Sequence, residues 1–124
     1  MPHFFAHADA MLLSLHPGAI FARTIPYKLQ CYMACGKPIV VSGNGEAARL
    51  VQESDAGFTA EAGSPEGLAE AVTKMLALSA GERAGLGLRS RACFDAHFSR
   101  DRVYGDLDAW LREAVSARRS RRGR

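Results

Sequence analysis

Two stretches of the chain are apolar but for one serine each, Met11 to Leu15 (MLLSL) and Pro38 to Ser42 (PIVVS), and neither alternates polar with apolar positions. Runs of this kind suit strands buried on both faces, as in a parallel sheet covered by helices. Gly57 to Ala60 reads as a third short strand. Between the first two, Thr24 is expected to cap a helix that opens near Pro26, runs through KLQCYMAC and stops at Gly36, with Leu29, Met33 and Tyr32 turned inward. The turn Gly43-Asn44-Gly45 then leads into a helix from Glu46 to about Ser54. Ahead of the first strand, Pro2 to Asp9 suits a short helix presenting Phe4, Phe5 and Ala8.

The second half of the pattern is helical. Ser64-Pro65 opens a helix whose apolar positions Leu68, Ala71, Val72, Met75 and Leu76 recur at helical spacing. Ser79 to Glu82 has the form of a capping box for the next helix. Ser99 caps a last one, in which Val103, Leu107, Trp110, Leu111 and Val115 read as packing positions. Strands alternating with helices predict an α/β fold, a parallel Rossmann-like sheet of few strands flanked by helices and joined by right-handed crossovers. Three strands are fewer than the five or six of a doubly wound domain. The expectation is therefore a partial domain over residues 1–117, as if an upstream half were absent.

Composition bounds the reading. The chain has 124 residues, 48% of them hydrophobic and 23% charged, which fits one globular domain and excludes two independent catalytic domains. No apolar run approaches the ~20 residues of a membrane span and no secretory leader is evident, so a cytoplasmic location is expected. Cys31, Cys35 and Cys93 are an odd number without a C-x-x-C pair, which disfavours a disulfide framework and a zinc ribbon. His3 and His7 share helical spacing but lack an acidic or cysteine partner, and no metal is expected.

The net charge of +3 is unevenly spread, because Arg118, Arg119, Arg121, Arg122 and Arg124 supply five positive charges. Residues 118–124 read as a disordered arginine-rich tail, either solvated or in peripheral contact with the anionic inner face of a membrane. No aromatic residue is interleaved with these arginines, which speaks against specific nucleic-acid binding.

In an open parallel sheet ligands bind beyond the carboxyl ends of the strands. Two loops qualify here, His16 to Pro26 and Ser42 to Glu46, each leading into a helix. Free N–H groups and the positive end of a helix attract phosphate, and Lys28 adds a full charge in the first turn. The sequence contains no G-x-x-x-x-G-K-[ST] loop, and Gly43 and Gly45 lack the third glycine of a dinucleotide fingerprint.

The run Ile25-Pro26-Tyr27-Lys28-Leu29-Gln30-Cys31-Tyr32-Met33-Ala34-Cys35-Gly36-Lys37-Pro38-Ile39, followed by Gly45-Glu46 and Gly57-Phe58, resembles the C-terminal domain of GT-B glycosyltransferases of the family 4 type. Among these it is most similar to bacterial transferases that build surface polysaccharides from nucleotide-linked amino sugars. The resemblance implies a donor-binding portion of an enzyme that transfers a sugar, with retention, from a nucleotide diphosphate sugar to a polysaccharide or lipid-linked acceptor. It places Thr24, Ile25, Pro26 and Lys28 at the diphosphate, and Gln30, Cys31, Gly45, Glu46 and His16 on the ribose and sugar side.

Two glutamates that flank this helix start in much of the family are replaced by Arg23 and Cys31, so Gln30 or Glu46 is expected to substitute. No catalytic residue and no cofactor is implied. An acceptor domain or partner chain is expected to complete the enzyme, and the chain alone to be weakly active or inactive. Self-association through Phe4, Phe5, Met11 and Leu12 is the further expectation. The alternative is a noncatalytic nucleotide-sugar-binding or assembly module working with a partner chain.

Overall fold

The three apolar segments pair as a parallel sheet in the order β1-β2-β3, with Met11 opposite Ile39 and Ile39 opposite Gly57. The computed structural model describes residues 2–122, with side chains for residues 3–118. In chain order the elements are α1 (Pro2–Ala6), β1 (Met11–Ser14), α2 (Ala19–Ala22), α3 (Tyr27–Ala34), β2 (Ile39–Ser42), α4 (Glu46–Glu53), β3 (Gly57–Ala60), α5 (Pro65–Ala77), α6 (Ala80–His97) and α7 (Arg100–Arg122). The expected α/β class with a parallel sheet is what the chain forms.

Side chains alternate across a strand, so each run feeds two cores. On one face Leu13, Ile39 and Val41 pack with Leu29 and Met33 of α3, Ala47, Ala48 and Val51 of α4, and Cys93 of α6. On the other, Val40 packs with Ala71 and Met75 of α5 and Leu86 of α6, joined by the half-buried Phe58, Ala60, Leu68 and Val72. Every residue of β2 is buried, which is why its sequence shows no alternation. Complete burial of such a side chain is worth about 1.5–3 kcal/mol, so β2 and the inner face of α3 dominate the stability of the sheet. Along β1, Met11 and Leu13 are buried while Leu12 and Ser14 are exposed, because α5 packs mainly on β3 and β2.

Glycines set two of the close approaches. Gly36 ends α3 in the left-handed region at φ +63°, and a Cβ on Gly87 would lie 2.2 Å from the Gly36 carbonyl oxygen. α6 therefore crosses the end of α3 at backbone contact. Ser64 and Ser79 cap α5 and α6 through the amides of Gly67 and Glu82, the second as a complete capping box.

Several expectations need correction. The loop between β1 and α3 contains the extra helical turn α2, and the Thr24 hydroxyl donates to the Ile20 carbonyl at 2.7 Å instead of capping α3. Leu76, at helical spacing with the core of α5, is 74% exposed because it lies at the side of the helix over β1, where nothing covers it. Trp110 and its apolar neighbours on α7 are exposed as well, since the last helix meets the body mainly through α6 and leaves this face in solvent. Met11 is buried and Phe5 stacks edge-on against Tyr32 at 5.5 Å, leaving Phe4 and Leu12 as the exposed members of the N-terminal apolar group. α7 continues through residue 118 to Arg122, with no glycine or proline between Gly105 and Arg122 to break it; Arg124 lies outside the described residues.

Candidate functional site

Parallel pairing brings the loops after β1, β2 and β3 to one edge of the sheet. They interlock there. The Gly43 N–H donates to the Ala60 carbonyl at 2.9 Å, and the Asn44 side-chain oxygen accepts from the Ala62 N–H at 3.1 Å. Gly63 lies beside the ring of Pro17, and Gly45, at φ +82°, lies directly on the carbonyl of Ala22. The extra turn α2 is thus clamped between the second loop and the start of α3.

The helices that leave this edge do not begin alike. α5 has the hydroxyl of Ser64 on its first turn, whereas α3 begins at Pro26 and α4 at Gly45, and neither has a side-chain cap. A helix start without an acceptor leaves N–H groups and the positive end of the helix dipole open to an anion. Lys28 stands in the first turn of α3, exposed and without an ion pair among the described residues. Proline at the cap fixes the entry of the chain, so the opening is built into the sequence.

The remaining candidates surround this start in different states. Thr24, Ile25 and Pro26 form the connection from α2 to α3, with Thr24 turned back onto Ile20. Gln30 and Cys31 are half-buried on α3, and Cys31 beside the Tyr27 hydroxyl pushes that phenol above its ordinary value. Glu46 heads α4, but Arg49 holds its carboxylate at 2.5 Å and also binds Glu53 at 2.9 Å. The guanidinium keeps Glu46 below the usual carboxylate range. His16 is exposed, and because a carbonyl only accepts, its Nδ1–H donates to the Pro17 carbonyl at 2.7 Å.

Neither the α2 turn nor the Asn44 tie is legible from residue spacing. The Glu46–Arg49–Glu53 triplet was missed as well, although spacings of three and four residues, which share one helix face, are the signal that finds it.

Two open hollows lie away from this edge. One of about 540 Å³ is lined by Lys37, Arg83 and Arg91 at the amino end of the sheet. Another of about 500 Å³ runs along Leu12, Val40, Val72 and Leu76. Lys37 in the first donates to the carbonyls of Ala6 and Ala8, and Arg91 to that of Ala34, so these cations are engaged in closing the fold.

A family model described as glycosyl transferases group 1 matches residues 1–78, which include all three strands and every loop of this edge. The chain belongs to that family. Its members' class of chemistry is glycosyl transfer, and the matched span ends just before α6. No curated protein and no solved structure matches the chain. Among the described residues of this glycosyltransferase domain no helix is long and apolar enough to cross a membrane.

Proposed function

We propose that the chain is the donor-binding portion of a retaining glycosyltransferase of the family 4 type, which takes a sugar from a nucleotide diphosphate sugar. The observation that carries this reading is the uncapped start of α3 with Lys28 exposed in its first turn. In such a transfer the nucleotide diphosphate is the leaving group, and negative charge grows on it as the glycosidic bond breaks. A helix start and an ammonium group arranged in advance at that position stabilise the developing charge without reorganising. Thr24, Ile25 and Pro26 contribute backbone beside the phosphates, while Gln30, Cys31, Gly45, Glu46 and His16 lie toward the ribose and the sugar. The acceptor, a polysaccharide or lipid-linked saccharide on the cytoplasmic side, is held by an acceptor domain or partner chain.

The engagement of Glu46 by Arg49 favours a second reading. With Arg23 and Cys31 at the places where the family commonly has glutamates, the one carboxylate among the ribose-side candidates, Glu46, is already paired. A module of this kind binds a nucleotide sugar and passes it to a partner chain without turning it over.

Titration of uridine diphosphate against the wild-type chain, Lys28→Ala and a chain ending at Ala117 tests both. A charge-assisted contact is worth about 1.5–3 kcal/mol, so Lys28→Ala weakens binding about ten- to a hundred-fold. Removal of the arginine-rich end leaves binding at moderate salt unchanged. Loss of binding only in the shortened chain would show that the phosphates bind the arginines rather than α3. Turnover by the wild-type chain without a partner would decide against the noncatalytic reading.

A further inference from the structure

α7 is 23 residues long, meets the body mainly through α6 and carries an uncovered apolar row. Val103, Tyr104, Leu107, Trp110, Leu111 and Val115 are each 45–67% exposed. At 3.6 residues per turn they fall within an arc of about 140°, with Trp110 at one border and Tyr104 near the other. The acidic residues of the helix, Asp101, Asp106, Asp108 and Glu113, all lie outside that arc. Arg100 and Arg118 lie inside it, about five turns and 27 Å apart, one at each end of the row. Both are exposed, and neither has an ion pair among the described residues. We propose that this face lies flat in the headgroup region of an anionic membrane, with Leu107 and Leu111 turned toward the acyl chains.

Charge names the occupant. From Arg100 to Arg122 the helix has seven arginines against four acidic residues. Asp106 and Asp108, which flank the row, are each neutralised within the helix, at 3.1 Å by Arg102 and 2.7 Å by Arg112. The positive excess therefore falls at the ends of the row, where Arg118 is followed by Arg119, Arg121 and Arg122 without an acid. A second copy cannot meet that pattern. Laid antiparallel with the two rows in register it sets Arg100 over Arg118, and laid parallel it sets each arginine over its counterpart, so like charges meet at both ends either way.

A leaflet of anionic lipid meets all of it at once. Its acyl boundary takes the apolar row, and its headgroups take both basic ends, which long arginine side chains reach while their stems stay apolar. Tryptophan and tyrosine, each with an apolar body and a polar tip, settle at headgroup level, and here they stand at the borders of the row. A helix with aromatic and leucine side chains on one face and a surplus of arginine lies in the interface rather than crossing it. No described helix is long and apolar enough to cross.

Co-sedimentation of the 124-residue chain with vesicles of phosphatidylglycerol or of phosphatidylcholine tests the proposal, with the fluorescence of Trp110, the single tryptophan, as a second reading. The chain binds phosphatidylglycerol with a blue shift, binds phosphatidylcholine at least tenfold more weakly, and loses affinity as sodium chloride is added. Leu111→Glu weakens binding to phosphatidylglycerol at least tenfold, and because Leu111 is 57% exposed the variant keeps the wild-type unfolding midpoint. Absence of binding to phosphatidylglycerol overturns the proposal, and equal affinity for the two lipids overturns the selection by charge. Binding without a blue shift, or indifferent to Leu111→Glu, overturns the apolar face in favour of the arginines alone. A lipid-free dimer in sedimentation equilibrium that Leu111→Glu dissociates overturns lipid in favour of a second copy.

Discussion

The carbonyl oxygen of Ala22 stands where a side chain on residue 45 would begin: a Cβ built on Gly45 would lie 1.9 Å from it. Two loops of the carboxyl edge therefore meet backbone to backbone, and the start of α3 is positioned by that contact.

Replacing Gly45 by alanine must both strain a left-handed backbone position and displace Ala22. The strain alone is worth about 1–3 kcal/mol. Gly45→Ala is expected to lower the urea midpoint and weaken uridine diphosphate binding together, whereas Lys28→Ala weakens binding at an unchanged midpoint. An unaltered midpoint for Gly45→Ala would mean that the two loops do not touch.

The start of α6 should respond to acid. Ser79 and Glu82 satisfy each other's backbone N–H groups, and these hydrogen bonds hold the Glu82 carboxyl below its ordinary value. A lowered folded-state value means stability that is present above the ordinary carboxylate value and lost as pH falls from there through the lowered one. The difference in melting temperature between wild type and Glu82→Gln is expected to be full at neutral pH and to shrink progressively once the pH falls below the ordinary carboxylate range. Ser79→Ala removes the cap at every pH, at a cost of about 1 kcal/mol.

The three cysteines differ in access. Cys31 and Cys35 are half-buried on or beside α3, while Cys93 is buried against the sheet, where burial pushes its thiol up. A thiol reagent at pH 8 should label Cys31 and Cys35 in the folded chain and reach Cys93 only on unfolding. Equal rates at all three, followed by peptide mass spectrometry, would contradict the packing of α6 on α3 and β2.

Leu29 and Leu76 occupy similar positions in their sequence patterns and opposite ones in the molecule. Leu29 is wholly buried between α3 and the sheet, and Leu76 is 74% exposed. Leu29→Ala is expected to cost about 2–5 kcal/mol and Leu76→Ala under about 0.5 kcal/mol by urea denaturation.

The strands were legible because β2 is buried on both faces, so Ile39, Val40 and Val41 form an apolar run closed only by Ser42, and because a glycine or a capping serine punctuates the junctions that follow α3, β2 and β3. Leu76 and Trp110 misled for one reason. Helical periodicity says which residues share a face, but the presence of a neighbour to cover that face depends on where other elements end. The α2 turn escaped notice because four residues contain no full period. The basic start of α3 was legible, since Pro26 and Lys28 are local signals, but the pairing of Glu46 with Arg49 removed a carboxylate that residue type alone would have counted as available.

In this sheet the spatial order of the strands is the order of their synthesis. Among the described residues each strand pairs with the one next to it in sequence, so none of these three has to be inserted between two strands that have already paired. Closing β2 onto β3 spans fewer residues than closing β1 onto β2, so the entropy of loop closure favours the β2-α4-β3 unit as the earlier to form. The second neighbour of the fully buried strand β2 and three helices that cover it, α4, α5 and α6, all follow it in the chain, so β2 stays partly uncovered until translation has passed α6.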